Sequence, residues 1–351
     1  MNRTTSRFAF LGKLEGLPIG IVLAVLYVVF IFTAPTVFTG YRIYMSFFQT
    51  VPPMLVLALG LTFIITAGEI DLSFPAVVAL AGFVFTWFFK TLHMPWIGFI
   101  LAIASGALVG SINGLLVARL KVPSIMATLA AQFFWYGVTI LIAGGLQIDI
   151  QAITTTTIHK IFVGRLFGIF PVQALWALGL TVFFWFILNR HTFGEAIMFI
   201  GDNAEVARVM GINVEATRMR LFTLHGVIAA FAGLLLTLEM NVFFPTQGQG
   251  MLLPVMAAVF IGGTSIAGGQ GVLVGTFFGA YIIGSLEAGV VATGIGGYWV
   301  QLVEGLVMAA SVILNVIIGE EGMSILSRAA RKWAVPVPAP SGDGSKGRGS
   351  K

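Results

Sequence analysis

Residues 102–118 read AIASGALVGSINGLLVA, and residues 276–292 read TFFGAYIIGSLEAGVVA. Each stretch carries a small residue at every fourth position: Ala102, Gly106, Gly110, Gly114 and Ala118 in the first, Thr276, Ala280, Gly284, Ala288 and Ala292 in the second. The offset is 174 throughout, and it also sets Gly110-Ser111 over Gly284-Ser285 and Val117-Ala118 over Val291-Ala292. Residues four apart share one helix face. In a membrane, a face of small side chains lets two helix backbones pack closely. One such ladder is ordinary. Two at a fixed offset indicate an internal repeat.

The surrounding composition fits a membrane. Of 351 residues, 58% are hydrophobic and 9% are charged, against roughly 25% charged in a soluble domain. The net charge of +5 forms no dense basic patch, which argues against nucleic acid as a partner. There is no cysteine, hence no disulfide and no thiolate metal site. Ten apolar runs approach the ~20 residues of a span, near 17–34, 51–67, 74–89, 95–118, 124–143, 171–188, 221–240, 251–266, 271–292 and 298–318. The first follows Arg3, Arg7 and Lys13 and exceeds the ~7–15 apolar residues of a signal peptide, so it reads as a retained span. The ladders fall in the fourth and ninth runs, five spans apart, and an odd separation inverts the second copy. The expected fold is an all-α membrane protein of about ten transmembrane helices in a five-plus-five inverted repeat, a transporter architecture.

With the N-terminus in the cytoplasm, Arg42, Lys90, Lys160 and Arg165 fall outside and the other 15 Lys and Arg residues fall inside. That bias supports cytoplasmic N- and C-termini. The expected organisation is a cytoplasmic tail at 1–16, a membrane domain at 17–320 with an inside loop at 189–220, and a cytoplasmic tail at 321–351. The tail is rich in Pro, Gly and Ser and is expected to be disordered from about 335.

Three segments stand out. The first, residues 60–73 (GLTFIITAGEIDLS), places Glu69, Asp71 and Ser73 between two spans with almost no loop. Acids at membrane depth are expensive and usually face the bundle interior or water. Asp71 or Ser73 can equally cap the next helix. The second, residues 261–271 (IGGTSIAGGQG), holds five glycines beside Thr264 and Ser265 and is read as the matching place in the second half. Irregular backbone is tolerated at membrane depth where it is buried in protein or lines a cavity. Its glycine spacing is not that of a dinucleotide loop, and no Walker A sequence occurs. The third, residues 201–214 (GDNAEVARVMGINV), reads as a short loop helix with Asp202 and Glu205 as a capping box, Gly211 as its stop and Asn213 capping the next span. A capped, half-apolar helix containing Asn203 and Arg208 on a cytoplasmic loop suits docking of a partner protein. A helix merely packed on the bundle is the plainer alternative.

Other polar residues lie in the runs. Glu287, opposite Asn113 in the repeat, and Glu304 are expected deep enough to line a pathway, and Glu239 near the outer end of its span. His225 is read as a satisfied packing residue, and Tyr298-Trp299 as an interfacial anchor. No set of residues has metal-ligand spacing or the makings of a catalytic triad.

Taken together, ALGLTFIITAGEIDLS, GDNAEVARVMGINV and AAVFIGGTSIAGGQGVLVGTFFGA resemble the permeases of ribose-type ABC importers, within the wider group of branched-chain amino-acid permeases, over about residues 50–318. Members more often read Gly-Gly-Ile-Asp-Leu-Ser, so Glu69 is a departure that sets a second acid beside Asp71. The resemblance implies a pore-forming, non-enzymatic subunit in a bacterial inner membrane that moves a pentose, hexose or polyol. It implies a second permease subunit, as a homodimer, and a periplasmic solute-binding protein. It also implies a partner ATPase that docks near 202–211 and holds the ATP and Mg, with no cofactor in this chain. Glu69, Asp71, Ser73, Asn113, Thr264, Ser265 and Glu287 are the pathway candidates. An ion-coupled secondary transporter using Asp71, Glu287 or Glu304 is the rival reading, which co-purification of an ATPase would separate.

Overall fold

Proline sets where several helices begin. Helices α1 (Leu17–Thr33), α3 (Pro52–Thr66), α4 (Phe74–Leu92) and α5 (Pro95–Ala118) each carry Pro at their first or second position. There the missing N–H is one that the helix could not have bonded anyway. The computed structural model describes residues 16–294, 296–307 and 309. All but the last belong to the unit that ends at Met308. The expected tails and the end of the tenth span lie outside the described residues, apart from Gly16.

The further helices are α2 (Tyr41–Thr50), α6 (Ser124–Ala143), α7 (Val172–Arg190), α8 (Thr192–Val209), α9 (Val214–Met240), α10 (Leu252–Ile261) and α11 (Leu273–Ala292). A further helix begins at Val300. Among the described residues, six helices are long and apolar enough to cross a membrane, or seven if α2 and α3, bent by 49°, form one span. This is a multi-pass membrane protein. Helix α3 is buried at every position. Helix α9 runs beside it and packs on α5, α4 and α3. Helix α6 lies at the periphery, where Met126, Phe133, Phe134 and Leu141 are exposed, as a lipid-facing surface requires.

Both ladders are packing faces. A Cβ on Gly106 would overlap the Gly226 carbonyl and lie 2.6 Å from the Ala230 Cβ. One on Gly110 would overlap the Phe222 carbonyl, and one on Gly114 would lie 3.0 Å from the Met219 Cα. The first ladder therefore seats α5 on α9. The second seats α11 on the α2–α3 corner. Thr276 Oγ1 lies 3.0 Å from Thr62 Oγ1, and a Cβ on Gly284 would come within 2.6 Å of Val51. Ala280 is fully buried and Ala288 half-buried. The offset of 174 carries α5 onto α11 and α3 onto the end of α9, so exchanging the halves exchanges these two interfaces.

The same offset corrects one expectation. It places residues 67–73 opposite 241–247, between α9 and α10, so the glycine-rich segment 261–271 is not their counterpart. The eighth expected span, 251–266, is the ten-residue helix α10. At 1.5 Å per residue α10 is about 15 Å long, half a hydrocarbon core. The segment leading into it is itself inside the bundle. Gln247 is 1% exposed and donates from Nε2 to the Val78 carbonyl (3.1 Å) and Thr237 Oγ1 (2.9 Å). The stretch before α3, which lay between the first two expected spans, is largely helical: Tyr41–Thr50 forms the amphipathic helix α2.

Segments that the Lys and Arg pattern puts on one side do lie together. At one end β1 (Ile148–Asp149) pairs antiparallel with β4 (Val242–Phe243), and β2 (Arg165–Leu166) with β3 (Phe170–Pro171). At the other end lie the three segments singled out above.

Candidate functional site

Helix α3 ends at Thr66, and Gly68 turns the chain with φ of 75°, a conformation open to glycine at no steric cost. Three segments then meet backbone to backbone. The Gly269 N–H donates to the Thr66 carbonyl at 2.9 Å. A Cβ on Gly201 would overlap that carbonyl and lie 2.5 Å from the Gly269 nitrogen. One on Gly268 would lie 2.7 Å from the Gly201 carbonyl and 3.1 Å from the Gly68 Cα. The glycines that looked like loop formers in the sequence allow this contact.

After Gly68 the chain runs without helix to Ser73, and its amides need partners. Helix α6 supplies them from one face. The N–H groups of Ile70, Leu72 and Ala76 donate to Ser124 Oγ (3.2 Å), Thr128 Oγ1 (3.0 Å) and Gln132 Oε1 (2.9 Å). These three side chains are four residues apart and act as a surrogate strand edge.

The acids divide. Asp71 is 2% exposed. Its Oδ1 accepts from the Ser73 N–H (2.8 Å) and hydroxyl (2.6 Å), and Asn113 Nδ2 donates to Ser73 Oγ at 2.8 Å. Its other oxygen, Oδ2, faces His225 Nε2 at 3.9 Å. Asp71 therefore turns the chain into α4. Asn113 Oδ1 and both His225 ring nitrogens have no hydrogen-bond partner, so this cluster keeps unused polar capacity inside the bundle. His225 is not the satisfied packing residue expected. Glu69 does not join Asp71. It pairs with Arg218 on α9, Oε1 to Nε, at 2.8 Å.

The loop departs from expectation at its cap. Asp202 is not the cap residue. Asn203, with non-helical φ/ψ of −158° and 104°, accepts from the Glu205 and Val206 N–H groups at 3.0 and 3.1 Å. It thereby breaks α8 into an upstream part and a short helix ending at Val209. Gly211 (φ 88°) is the stop, and Asn213 caps α9 through Ala216. Glu205 pairs instead with Arg208 (2.7 Å), which also reaches Glu215 (3.1 Å) in the first turn of α9. These two carboxylates hold the Arg208 guanidinium above its ordinary range. Glu69, Glu205, Arg208, Glu215, Arg218 and Lys121 share one open cavity of about 490 Å³.

Thr264 and Ser265 shape their own turn: Thr264 Oγ1 accepts from Val272 N–H (3.2 Å), and Ser265 N–H donates to the Gln270 carbonyl (3.1 Å). Glu287 is exposed on α11. A polar group at the opposite end was not assembled from the sequence. There Gln173 Nε2 donates to Glu239 Oε2 (2.8 Å), Gln49 Nε2 to Glu239 Oε1, and Arg165 to Gln49 Oε1 (2.8 Å). Nearby, burial lowers the pKa of His159, opposed by a hydrogen bond to Asn241.

The family described as "Branched-chain amino acid transport system / permease component" matches residues 43–312. The ribose import permease protein RbsC of Escherichia coli (strain K12) is 30% identical over 74% of this chain and 81% of its own length. The Bacillus subtilis (strain 168) protein of the same name is 31% identical over 74% and 80%. The autoinducer 2 import system permease protein LsrC of Klebsiella pneumoniae is 31% identical over 74% of each chain. A chain of PsaBC from Streptococcus pneumoniae superposes with a TM-score of 0.44 at 14% identity, over 81% of this chain and 94% of that one. The matched span covers well over half of the sequence, and the chain belongs to the family of branched-chain amino acid transport system permease components.

Proposed function

We propose that this chain is the pore-forming permease subunit of an ABC importer that carries a sugar or sugar-like solute, a pentose, hexose or polyol, across a bacterial inner membrane. The short capped helix 204–209 is the handle on which a separate ATPase docks, on the cytoplasmic side. That ATPase binds ATP and Mg. A periplasmic binding protein delivers the solute, and a second permease copy completes the pathway. The relatives named for ribose and autoinducer 2 import support the solute class.

The observation that carries this reading is the junction of Thr66, Gly201 and Gly269. The loop helix is continuous in sequence with a backbone contact on both the Asp71 segment and the glycine-rich segment. A push on the loop therefore reaches both. Ion pairs add a second route, from Glu205 through Arg208 to Glu215, and from Arg218 to Glu69.

The test is uptake of radiolabelled pentoses and hexoses into proteoliposomes holding the chain and its co-purified ATPase. ATP-dependent uptake that needs the binding protein is expected. Accumulation by the chain alone on an ion gradient, with no ATPase, overturns the reading in favour of a secondary transporter.

A further inference from the structure

Helices α7 and α9 meet at one end through Trp176 and Phe231, ring centroids 6.0 Å apart. Towards the other end, where α7 stops at Arg190 and α9 has just begun, they leave a cavity of about 560 Å³. Its walls are Phe183, Phe186, Phe193 and Leu224, with Arg220 and His191 at its edge. It opens sideways on the surface of the bundle, and Phe183 and Phe186 are both 56% exposed. Among the described residues, Arg220 has no ion-pair partner, and it is exposed. A second cavity beside it is lined by Arg220 and Arg119 together with Glu215, whose carboxylate is already paired with Arg208.

An apolar slot on a spanning surface is filled by hydrocarbon. An unpaired guanidinium at its mouth adds a specific demand for an anion. Basic pockets between transmembrane helices on the Lys/Arg-rich side suit anionic headgroups, and arginine matches phosphate in geometry as well as charge. We infer that this cavity is a binding site for an anionic phospholipid of the leaflet on the Lys/Arg-rich side, with an acyl chain between α7 and α9 and the phosphate on Arg220. The site touches none of the residues assigned to docking or to the pathway. It sits where the α7–α8 turn meets α9, so a bound lipid would hold the root of the loop against the bundle.

Native mass spectrometry of the purified full-length chain, titrated with phosphatidylglycerol or phosphatidylcholine, tests this. The wild type is expected to retain phosphatidylglycerol about tenfold better, the size of one charge-assisted hydrogen bond. Arg220→Gln should abolish the preference, Arg220→Lys should keep part of it, and Phe193→Ser should weaken retention of both lipids. A photoactivatable acyl chain on phosphatidylglycerol should label residues 183–193 and 220–224 of the wild type, a readout independent of how the variants fold. Equal retention of the two lipids, full preference in Arg220→Gln, displacement by inorganic phosphate, or labelling elsewhere overturns the inference.

Discussion

The Gly269 N–H and the Thr66 carbonyl are joined at 2.9 Å, across two segments that the sequence separates by some 200 residues, and Gly201 packs directly against both groups. The joint tolerates no side chain. A methyl group at 201 must push apart the end of α3 and the glycine-rich segment.

Gly201→Ala is therefore expected to destabilise the chain by about 1–3 kcal/mol, the usual range for overpacking, and to lower solute uptake more than it lowers ATPase turnover. Melting temperature and the ratio of transport to hydrolysis in proteoliposomes check this. Unchanged uptake would remove the joint from the coupling route.

The Glu69–Arg218 pair should behave as a unit. Glu69 is 8% exposed, so Arg218→Ala leaves a largely buried carboxylate unpaired, and each single change should cost more than the double Glu69→Ala/Arg218→Ala. A double-mutant cycle on thermal stability is expected to give a coupling of about 1–3 kcal/mol. Additive losses would mean that the pair carries no stability of its own.

Asn203 and Asp202 are adjacent acceptors with opposite fates. Asn203→Ala should cost the loop helix about 1 kcal/mol and weaken ATPase co-purification. Asp202→Ala should leave the helix cap intact. Equal effects in a pull-down would contradict the observed cap.

Gly110→Ala drives a methyl into the Phe222 carbonyl on α9, whereas Gly137 on α6 has nothing within 4 Å. The first should destabilise by about 1–3 kcal/mol. Gly137→Ala should be neutral or gain up to about 1 kcal/mol from the lower entropy of the unfolded chain. Thermal melts of the two purified variants decide it.

What the sequence made legible was periodic. The ladders repeat every four residues along a face, so they announced both packing interfaces and their relation by one offset. Apolar runs found the long helices for the same reason. What stayed hidden depended on distant partners. Nothing near Glu69 points to Arg218, 149 residues on, so its acid was grouped with Asp71. Asp202 and Asn203 are both good caps, and only the kink in α8 selects between them. The depth of α10 was missed because ten apolar residues flanked by glycines look like a shortened span.

The bonds from Ser124, Thr128 and Gln132 to the 70–76 stretch have a mechanical meaning. Peeling that stretch from α6 would strand the amides of Ile70 and Leu72, at roughly 1–3 kcal/mol apiece unless water or a hydroxylated guest replaced each acceptor, whereas the Ala76 N–H would keep the Ser73 carbonyl at 3.0 Å. Peripheral α6 and the buried acid-bearing strip are thus a single rigid piece. Any rocking that shifts Asp71 must drag a lipid-exposed helix with it, so the viscosity and thickness of the surrounding bilayer enter the rate of the cycle.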